Sequence, residues 1–398
     1  MKITIVTLYN PFEKIRGGIE SVVYHLSRAF VKLKHEVWVL TMGDVQKNTI
    51  IDTQGVNVWI LPDRKINNLF VRNLLFIKKG KSIVEKMERE CEIDVFNGQS
   101  GYSDPLFFAD LKNAKRILTV HTIDGENIAN IKDCWRVGRY SEFIGEALKY
   151  PILKARRSFY FGRADALIFV SHFALNEFKT FYPYLGHKPC HVIENGVPEL
   201  SYVNRISTHK KNYDFVYAGR IDKRKGVDLL IKAANLLRKK HSFKIAVVGD
   251  GPWRKFIEEL AVKLDVADNF HFFGYLNNDS TIEIFKTARC LVLPSFYESD
   301  PLVVKECMAL GTPIIGSDIP SLREKILNYR NGLTFRYGDY QDLAKVMQTV
   351  LSSGRDAERS DKKTFKIRSW EDVAKEYIGV FKFFSQGYRR KYEEKLAG

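Results

Sequence analysis

The sequence predicts an α/β protein made of two doubly wound, Rossmann-like domains that face each other across a cleft. Short apolar runs alternate with amphipathic helical stretches along most of the 398 residues. Buried runs of about four to six residues separated by helices are typical of βαβ units and parallel sheets. A polar segment at residues 198–212 interrupts the alternation near the middle of the chain. We therefore predict one domain over residues 1–198 and a second over residues 212–370.

The first domain opens on a strand, and a long amphipathic helix, Gly18–Leu33, follows it. Its predicted strands are Ile3–Leu8, Glu36–Leu40, Val56–Leu61, Ile93–Phe96, Arg116–Val120, Ala166–Val170 and His191–Ile193. The predicted strands of the second domain are Asp214–Ala218, Lys244–Val248, Phe270–Phe273, Cys290–Leu293 and Pro313–Gly316. Right-handed crossovers place ligands beyond the carboxyl ends of such strands. Residues that directly follow the strands are therefore the candidates for function.

The composition is that of an ordinary globular protein, with 45% hydrophobic and 28% charged residues. These values exclude a collagenous or wholly disordered chain. No apolar run reaches the ~20 residues of a membrane-spanning helix, and residues 1–6 read as a strand rather than a signal peptide. Five scattered cysteines without a CxxC pair argue against a disulfide framework and a structural zinc site. We therefore predict a cytoplasmic protein.

The chain carries a net charge of +16, from 63 basic and 47 acidic residues. Nucleic acid, anionic lipid and nucleotide diphosphates would all be attracted to such a protein, so charge alone does not choose among them. The basic residues are dispersed, and no RNP, KH or helix-turn-helix pattern occurs. We predict that nucleic acid is not a partner, and a non-enzymatic polyanion-binding protein remains an alternative.

The strongest chemical signal is the segment at residues 294–313, PSFYESDPLVVKECMALGTP. A buried strand before it ends in a loop that carries Glu298. Asp300 is suited to cap the helix that follows, and Pro301 to be the first residue of that helix. The segment thus predicts a loop and a helix start at the carboxyl end of a buried strand.

Glu306 lies within this predicted helix, eight residues after Glu298. Free amides at the helix start, at Leu302 and Val303, are suited to hold phosphate oxygens, because the helix dipole favours negative charge there. A carboxylate one to two turns further in is suited to accept hydrogen bonds from ribose hydroxyls. Two solvated glutamates on a surface helix would show the same spacing.

A basic loop forms the second signal, at residues 217–230, YAGRIDKRKGVDLL. Arg220 and Lys225 follow a predicted strand, where a guanidinium and an ammonium are well placed to pair with a diphosphate. Ordinary solvated loop residues and a nucleic-acid patch remain alternatives for the same pattern.

Two weaker signals lie in the first domain. Gly17 and Gly18 stand before the first long helix, where paired glycines let the backbone approach an anion closely. His121 ends a strand, and no HExxH or similar metal spacing accompanies it. Neither a GxGxxG fingerprint nor a GxxxxGK[ST] loop occurs, which argues against a dinucleotide-dependent dehydrogenase and P-loop phosphotransfer.

From residue 3 to about residue 335, the chain resembles a retaining glycosyltransferase of the GT-B fold, family 4. The resemblance rests on GGIE, TVHTID, VSHFALNEF, VIENGV, YAGRIDKRKG, VVGDGP, FFGYL and an E-x7-E motif followed by CMALGTPII. It implies transfer of a sugar from a UDP- or GDP-sugar to a hydroxyl acceptor, without a metal and without any other cofactor. A sugar-nucleotide epimerase or hydrolase on the same fold is an alternative enzyme.

In the second domain, the resemblance implies roles in holding the donor. Arg220 and Lys225 would bind the diphosphate and stabilise it as the leaving group. Glu306 would bind the ribose, and Glu298 would contact the transferred sugar. The backbone at residues 275–276, Tyr275 and Leu276, would lie near the base.

For the first domain, the resemblance implies that Gly17 and Gly18 offer amides to the distal phosphate and that His121 touches the sugar. It also implies that a C-terminal helix at about residues 371–398 crosses back to this domain. The stretches at 64–90 and 135–163 mix basic with apolar residues, as interfacial helices do. They predict either core-facing helices with a solvated basic side, or peripheral binding to an anionic membrane on its inner face and a lipid-linked acceptor.

Overall fold

In the computed structural model the chain forms two compact units. One comprises Met1–Asn195 with the described part of Ser369–Gly398, and the other comprises Gly196–Arg368. The structure describes residues 1–13, 15, 17–63, 69–101, 103–125, 127, 128, 131, 140–197, 212–329, 332–353 and 368–385. The predicted linker at 198–212 lies outside this part of the chain except for Asn212, as do residues 64–68, 132–139 and 386–398.

An eight-stranded sheet forms the centre of the first unit, in the order β3-β4-β2-β1-β5-β6-β7-β8. The strands are β1 Lys2–Tyr9, β2 Glu36–Gly43, β3 Thr49–Thr53, β4 Val56–Pro62, β5 Val95–Gln99, β6 Lys115–Val120, β7 Ala166–Phe169 and β8 Cys190–Val192. All neighbours pair in parallel except β3, which runs antiparallel to β4 at the edge. The strand order reverses between β1 and β5, which is where an open parallel sheet forms its ligand crevice.

Helices of the first unit bury apolar stripes on this sheet. They are α1 Gly18–Lys32, α2 Leu69–Glu90, α3 Asp104–Phe108, α4 Tyr140–Arg163 and α5 His172–Phe181. In α1 the residues Val22, Val23, Leu26 and Phe30 are buried, which is the i, i+3, i+4 spacing of a helix with one core-facing side.

The second unit is built on six strands in the order β11-β10-β9-β12-β13-β14. The strands are β9 Tyr213–Ala218, β10 Ile245–Val248, β11 Phe270–Gly274, β12 Ala288–Leu293, β13 Ile314–Ser317 and β14 Gly332–Phe335. All pairs are parallel. This is a doubly wound sheet whose strand order reverses between β9 and β12.

Five helices connect these strands: α6 Val227–Leu237, α7 Arg254–Lys263, α8 Asn278–Thr287, α9 Leu302–Leu310 and α10 Pro320–Tyr329. Helix α11, Tyr340–Ser352, follows the last strand. Strand β12 is buried along its whole length, as expected of a central parallel strand with helices on both faces. The predicted α/β fold with two doubly wound parallel sheets is thereby confirmed.

The last described helix, α12 (Trp370–Ser385), packs against α1 of the first unit. The ring of Phe30 lies 6.2 Å from the ring of Tyr377 and 5.8 Å from that of Phe381. Both α12 rings are buried, so the helix contributes to the core of the first unit. No helix in the described part of the chain is long and apolar enough to cross a membrane.

Three local features differ from the sequence-based predictions. The edge strands β3 and β14 were not predicted, and β5 runs through Gln99 instead of ending at Phe96. Edge strands are only partly buried, so they lack the continuous apolar run that marks a central strand. The extension of β5 contains polar Asn97 and Gln99, yet both are fully buried.

Candidate functional site

Two loops meet at the strand reversal of the second unit, one after β9 and one after β12. Gly226 has a φ of +63°, and a Cβ added there would lie 2.1 Å from the carbonyl oxygen of Pro294. Only glycine therefore lets the two backbones approach so closely. The amide of Phe296 also donates to the carbonyl of Arg224 over 2.7 Å. The basic loop and the loop with the first glutamate are thus held together by backbone contacts.

Lys225 and Glu298 form the most direct link between these loops. Lys225 Nζ lies 2.6 Å from Glu298 Oε1, and the hydroxyl of Ser295 donates to the same oxygen over 2.8 Å. Ser321 Oγ donates to the carbonyl oxygen of Glu298 over 2.7 Å. Both side chains of the ion pair are largely buried. Two donors, Lys225 Nζ and Ser295 Oγ, hold the carboxylate of Glu298 in one position.

Asp300 lies in the same loop as Glu298 and anchors it through ion pairs. Its side chain is fully buried, and its carboxylate lies 2.8 Å from Lys305 Nζ and 2.9 Å from Lys325 Nζ. Burial raises the pKa of Asp300, but the two ammonium groups outweigh that effect and hold the pKa below its usual value. The predictions that Asp300 caps the next helix and that Pro301 is its first residue are wrong: Pro301 is the N-cap of α9, and the Asp300 carboxylate pairs with the lysines instead.

The start of α9 offers free donors. Pro301 provides no side-chain cap, and the first amide that bonds back to it is that of Val304, over 3.2 Å. Among the described residues, no group accepts a hydrogen bond from the amides of Leu302 and Val303. These two amides therefore remain available at the positive end of the helix dipole, as an anion site requires.

Glu306 lies one turn into α9 and is buried. Within the described part of the chain, its carboxylate has no hydrogen-bond donor and no ion-pair partner. Burial alone raises the pKa of Glu306 to about 7. A buried carboxylate without donors is costly, and ligand hydroxyls that donate to it would remove that cost.

Oδ2 of Asp222 lies 3.7 Å from Nε of Arg220, which follows β9 and is also held by its backbone. Its carbonyl accepts from the hydroxyl of buried Tyr217 over 2.8 Å, while 55% of its side chain is exposed. Burial, followed by the nearby carboxylates of Asp222 and Glu298, raises the pKa of Tyr217 well above its usual value, so its hydroxyl stays protonated as a donor. The guanidinium is thus accessible to a ligand.

Tyr275 and Leu276 follow β11 at the same edge of the sheet. Tyr275 is exposed and Leu276 is half-buried. Helix α8 begins two residues later, with the side chain of Asn277 capping it. The structure therefore places both residues in a short loop at the carboxyl end of a strand.

In the first unit, Gly17 and Gly18 are the N-cap and first residue of α1. A Cβ added to Gly18 would meet nothing within 4 Å, and one added to Gly17 would lie 3.3 Å from an oxygen of Glu20. Gly18 has no positive φ. At Gly18 the backbone faces open space, so packing does not explain why this position is a glycine.

His121 follows β6 and is buried. Its Nε2 lies 2.7 Å from Oε1 of Gln99, and its amide donates to the hydroxyl of Ser100 over 3.0 Å. Gln99 ends the neighbouring strand and Ser100 follows it, so groups at the end of that strand fix this histidine in the first unit.

A cavity of about 120 Å³ lies at the carboxyl ends of β5 and β6, lined among others by Ser100, Arg156 and Arg157. Arg156 pairs with Asp104, and Arg157 Nη1 lies 3.0 Å from Asp124 Oδ1. Both carboxylates are buried. Because each arginine is paired with a carboxylate, the cavity wall offers many hydrogen-bond donors but has little net charge.

The structure thus brings Arg220, Lys225, Glu298, Glu306 and the amides of α9 to one edge of the second sheet. Gly17, Gly18 and His121 lie in the first unit. Lys325 and Gln99 were missed from the sequence because their partners, Asp300 and His121, are distant along the chain. Ser295 was also missed, although its partner Glu298 is only three residues away. Among the residues that the structure describes, no group of three or more His, Cys, Asp or Glu could hold a metal ion.

Two protein families match this chain, one for each unit. Residues 16–199 match the family described as "Glycosyltransferase Family 4", and residues 202–367 match "Glycosyl transferases group 1". Together these ranges take in most of the chain, and they meet near the boundary between the two units.

Known proteins resemble the chain over nearly its whole length. An uncharacterized glycosyltransferase of Methanocaldococcus jannaschii is 25% identical, over 96% of this chain and 98% of its own. Sucrose-phosphate synthase from Thermosynechococcus elongatus has a similar structure, with a TM-score of 0.72 and 18% identity over 99% of this chain and all of the other. The Anabaena protein HepE, solved with UDP and glucose, gives a TM-score of 0.62 and 16% identity over the whole of both chains.

Proposed function

The chain belongs to glycosyltransferase family 4 and has the GT-B fold, and we propose that it transfers a sugar, with retention of configuration, from a nucleotide diphosphate sugar to a hydroxyl acceptor. The observation that carries this proposal is the buried, donor-free carboxylate of Glu306 in a helix that begins with two free amides. Phosphate oxygens on the amides and ribose hydroxyls on the carboxylate would satisfy both groups. The complex of HepE with UDP and glucose supports such a donor by analogy.

In this proposal the bond between the sugar C1 and the diphosphate oxygen breaks, and the electron pair leaves with the diphosphate. The acceptor oxygen bonds to C1 on the face that the diphosphate leaves, and the acceptor proton passes to the departing oxygen. Arg220 and Lys225 stabilise the charge that develops on the diphosphate. By analogy with oxyanion donors, each is worth about 2–4 kcal/mol in the transition state.

The remaining groups recognise the donor. Glu298 accepts from hydroxyls of the transferred sugar, and Ser295 and Lys225 keep its carboxylate in place. Leu302 and Val303 contribute their amides to the diphosphate, and the backbone of residues 275–276 lies beside the base. The proposal assigns the distal phosphate to the amides of residues 17–18.

His121 contacts the transferred sugar in this proposal, and the donor-rich cavity beside it holds the acceptor. A near-neutral wall of paired arginines suits an acceptor that presents hydroxyls. No metal is required, because fixed cations and amides already face the leaving group. We expect EDTA to leave the transfer rate unchanged, and loss of activity that Mg²⁺ or Mn²⁺ restores would contradict this part.

The first experiment is a thermal-shift screen with UDP, GDP, ADP and their sugar conjugates. A nucleotide at 100 times its dissociation constant should stabilise the protein by about 2.7 kcal/mol. We expect one base to give a shift that Glu306→Ala removes. If no nucleotide shifts the wild-type protein, the donor proposal fails.

Transfer is then tested with the donor that binds. Arg220→Ala should lower turnover at least about 100-fold, on the scale of one oxyanion donor. Arg336→Ala is the matched control, because that arginine is also exposed and lies in the same unit. Nucleotide release without an acceptor product would favour the epimerase or hydrolase alternative instead.

We further propose that the first unit binds an anionic membrane through the exposed face of α4. The exposed side chains on this helix include Tyr140, Ile144, Leu148, Ile152 and Phe159, and Leu148 and Ile152 are each 71% exposed. The first four recur every fourth residue and so form one stripe. A helix with an apolar face and basic flanks lies in the membrane interface, which would give access to a lipid-linked acceptor.

Basic residues border this stripe, among them Lys149, Lys154 and Arg163, and they suit an anionic surface. We expect the protein to sediment with anionic but not with neutral vesicles at low salt, and Leu148→Ser with Ile152→Ser to abolish sedimentation. Val262→Ser is the control, since Val262 is equally exposed but lies in α7 of the second unit. Wild-type protein that stays in solution with anionic vesicles would refute membrane binding.

A further inference from the structure

A chain of buried polar side chains runs across the first sheet beneath His121. Asn97 and Gln99 are two residues apart on β5, so both side chains lie on the same face of the sheet. Gln99 Nε2 lies 2.7 Å from Asn97 Oδ1, and Gln99 Oε1 lies 2.7 Å from His121 Nε2. Asn97 Nδ2 lies 3.1 Å from the carbonyl oxygen of Ile117 and 3.0 Å from Oγ1 of Thr119.

The carbonyl oxygen of Ile117 gives this chain a direction. A carbonyl only accepts, so the Asn97 atom that faces it must be the amide nitrogen, and Asn97 Oδ1 then faces Gln99 as an acceptor. Gln99 must therefore donate from its own amide nitrogen to Asn97 Oδ1, which turns Gln99 Oε1 toward His121. The ring nitrogen at that contact is therefore a donor. The reverse orientation would set two acceptors 3.1 Å apart at Ile117.

We propose that Gln99 is a positioning residue that holds His121 as the Nε2–H tautomer. In the neutral ring, Nδ1 is then the basic nitrogen, and any group that His121 recognises through it must be a donor, such as a hydroxyl. The role toward a sugar rests on the function proposed above. The tautomer itself rests only on the hydrogen bonds within the first unit.

Burial makes this arrangement specific. The side chains of Asn97, Gln99 and Thr119 are fully excluded from solvent. A buried amide without partners costs about 1–3 kcal/mol, so flipping the amide of Asn97 or Gln99 would destabilise the protein. Thr119 Oγ1 also lies 3.3 Å from the hydroxyl of Tyr377 on α12, which closes the network on its far side.

The tautomer can be read directly by NMR of protein labelled with ¹⁵N-histidine, at a pH where the imidazole rings are neutral. His121→Asn identifies the signals of this ring among the nine histidines. We expect a protonated Nε2 and an unprotonated Nδ1 in the wild type. An Nδ1–H ring in the wild type would overturn the proposal, whether or not the protein transfers sugar.

Variants test what holds the ring. In Gln99→Leu the preference for Nε2–H should be lost and turnover should fall about 10- to 100-fold, the range for residues that orient a functional histidine. Gln99→Glu keeps an oxygen that accepts from His121 but sets its other oxygen against Asn97 Oδ1, so it should recover only part of that loss. Thr119→Val is the matched control: it is equally buried, and it leaves the Ile117–Asn97–Gln99 chain intact, so the tautomer should not change.

Unchanged NMR signals of His121 in Gln99→Leu would overturn the positioning role. If instead no variant and no donor gives sugar transfer, while the wild-type ring is Nε2–H and Gln99→Leu changes it, the proposed function fails and the positioning role stands. Far-UV circular dichroism of each variant identifies any that has not folded. If Gln99→Leu has not folded, Gln99→Glu decides instead: an unprotonated Nε2 of His121 in this variant would overturn the positioning role, because the accepting oxygen is still present.

Discussion

Lys225 donates to Glu298 over 2.6 Å, so these two residues form one ion pair between the loops that follow β9 and β12. The sequence resemblance gives them separate tasks, one on the diphosphate and one on the sugar. Their contact couples those tasks, since a change in one residue alters the position and the charge environment of the other. The ammonium has three donors, so it can bind a phosphate oxygen while still holding the carboxylate.

A double-mutant cycle tests this coupling. Lys225→Met and Glu298→Gln should each lower kcat/KM at least about 100-fold, on the scale of one transition-state donor. Because each change also disturbs the partner, the double variant should be less impaired than the product of the two single effects. Steady-state kinetics with the donor found by thermal shift provides the measurement, and strictly multiplicative losses would show that the residues act independently.

Nucleotide affinity should depend on pH through Glu306. Its pKa is raised to about 7 in the ligand-free protein, and ribose hydroxyls that donate to the carboxylate would favour the charged form and lower that pKa. Binding should therefore be tightest above pH 7 and weaken by up to about tenfold per pH unit below it. Calorimetric titration from pH 5.5 to 8.5 measures this dependence. The control is Glu306→Gln, which should bind weakly at every pH with a flat profile.

The same residue should lower the stability of the free protein. The pKa of Glu306 is about 7 in the folded chain against an ordinary value of 4.5, so the folded state binds the proton more tightly. The cost is absent below pH 4.5, grows as the pH rises, and is complete above pH 7, where it amounts to about 3 kcal/mol. Glu306→Gln should therefore raise the urea midpoint at pH 8 but hardly change it at pH 4.5. An equal effect at both pH values would contradict the burial argument.

Asp300 should be essential for the stability of the second unit. Asp300→Ala leaves buried Lys305 and partly buried Lys325 without their carboxylate, and loss of one partner in a buried ion pair costs about 3–5 kcal/mol. Because the pKa of Asp300 is lowered in the folded state, the stabilisation is present above pH 4 and is lost as the pH falls through that lowered pKa. Urea denaturation at pH 7 measures the loss. Asp318→Ala, which breaks an exposed pair with Arg323, should cause little change.

The fold and the outline of the donor site follow from local sequence patterns. Buried central strands are continuous apolar runs, and helix-starting loops after them carry Arg220, Lys225 and Glu298. What the sequence does not contain is pairing over long distances. Asp300 has the position and chemistry of a helix cap, and only the fold reveals that Lys325, distant along the chain, takes its carboxylate.

Gln99 was overlooked for a related reason. Asn-Gly-Gln after an apolar run is typical of a turn, yet residues 97–99 extend β5 into the core. A strand can bury such side chains only when neighbouring strands supply partners, and those partners, Thr119 and His121, lie on β6 and just beyond it. The spacing of two residues between Asn97 and Gln99 is the local signal that could have identified them as buried residues of a strand.

A methyl group added at Gly18 tests the phosphate site, and one added at Gly226 provides the contrast. Gly18→Ala adds a methyl group to open space at the first position of α1, with no positive φ to penalise it. The variant should fold with unchanged or slightly higher stability, because alanine is the better helix residue. If the backbone of residues 17–18 contacts a phosphate, the methyl group should nevertheless weaken donor binding at least about tenfold.

Gly226→Ala should instead lower the stability of the protein itself. Its Cβ would lie 2.1 Å from the Pro294 carbonyl oxygen, in a residue with a φ of +63°, so the free energy of unfolding should fall by about 3 kcal/mol or more. Thermal denaturation and nucleotide titration of both variants check the pair. A Gly18→Ala protein that is stable and binds its donor normally would remove Gly17 and Gly18 from the site.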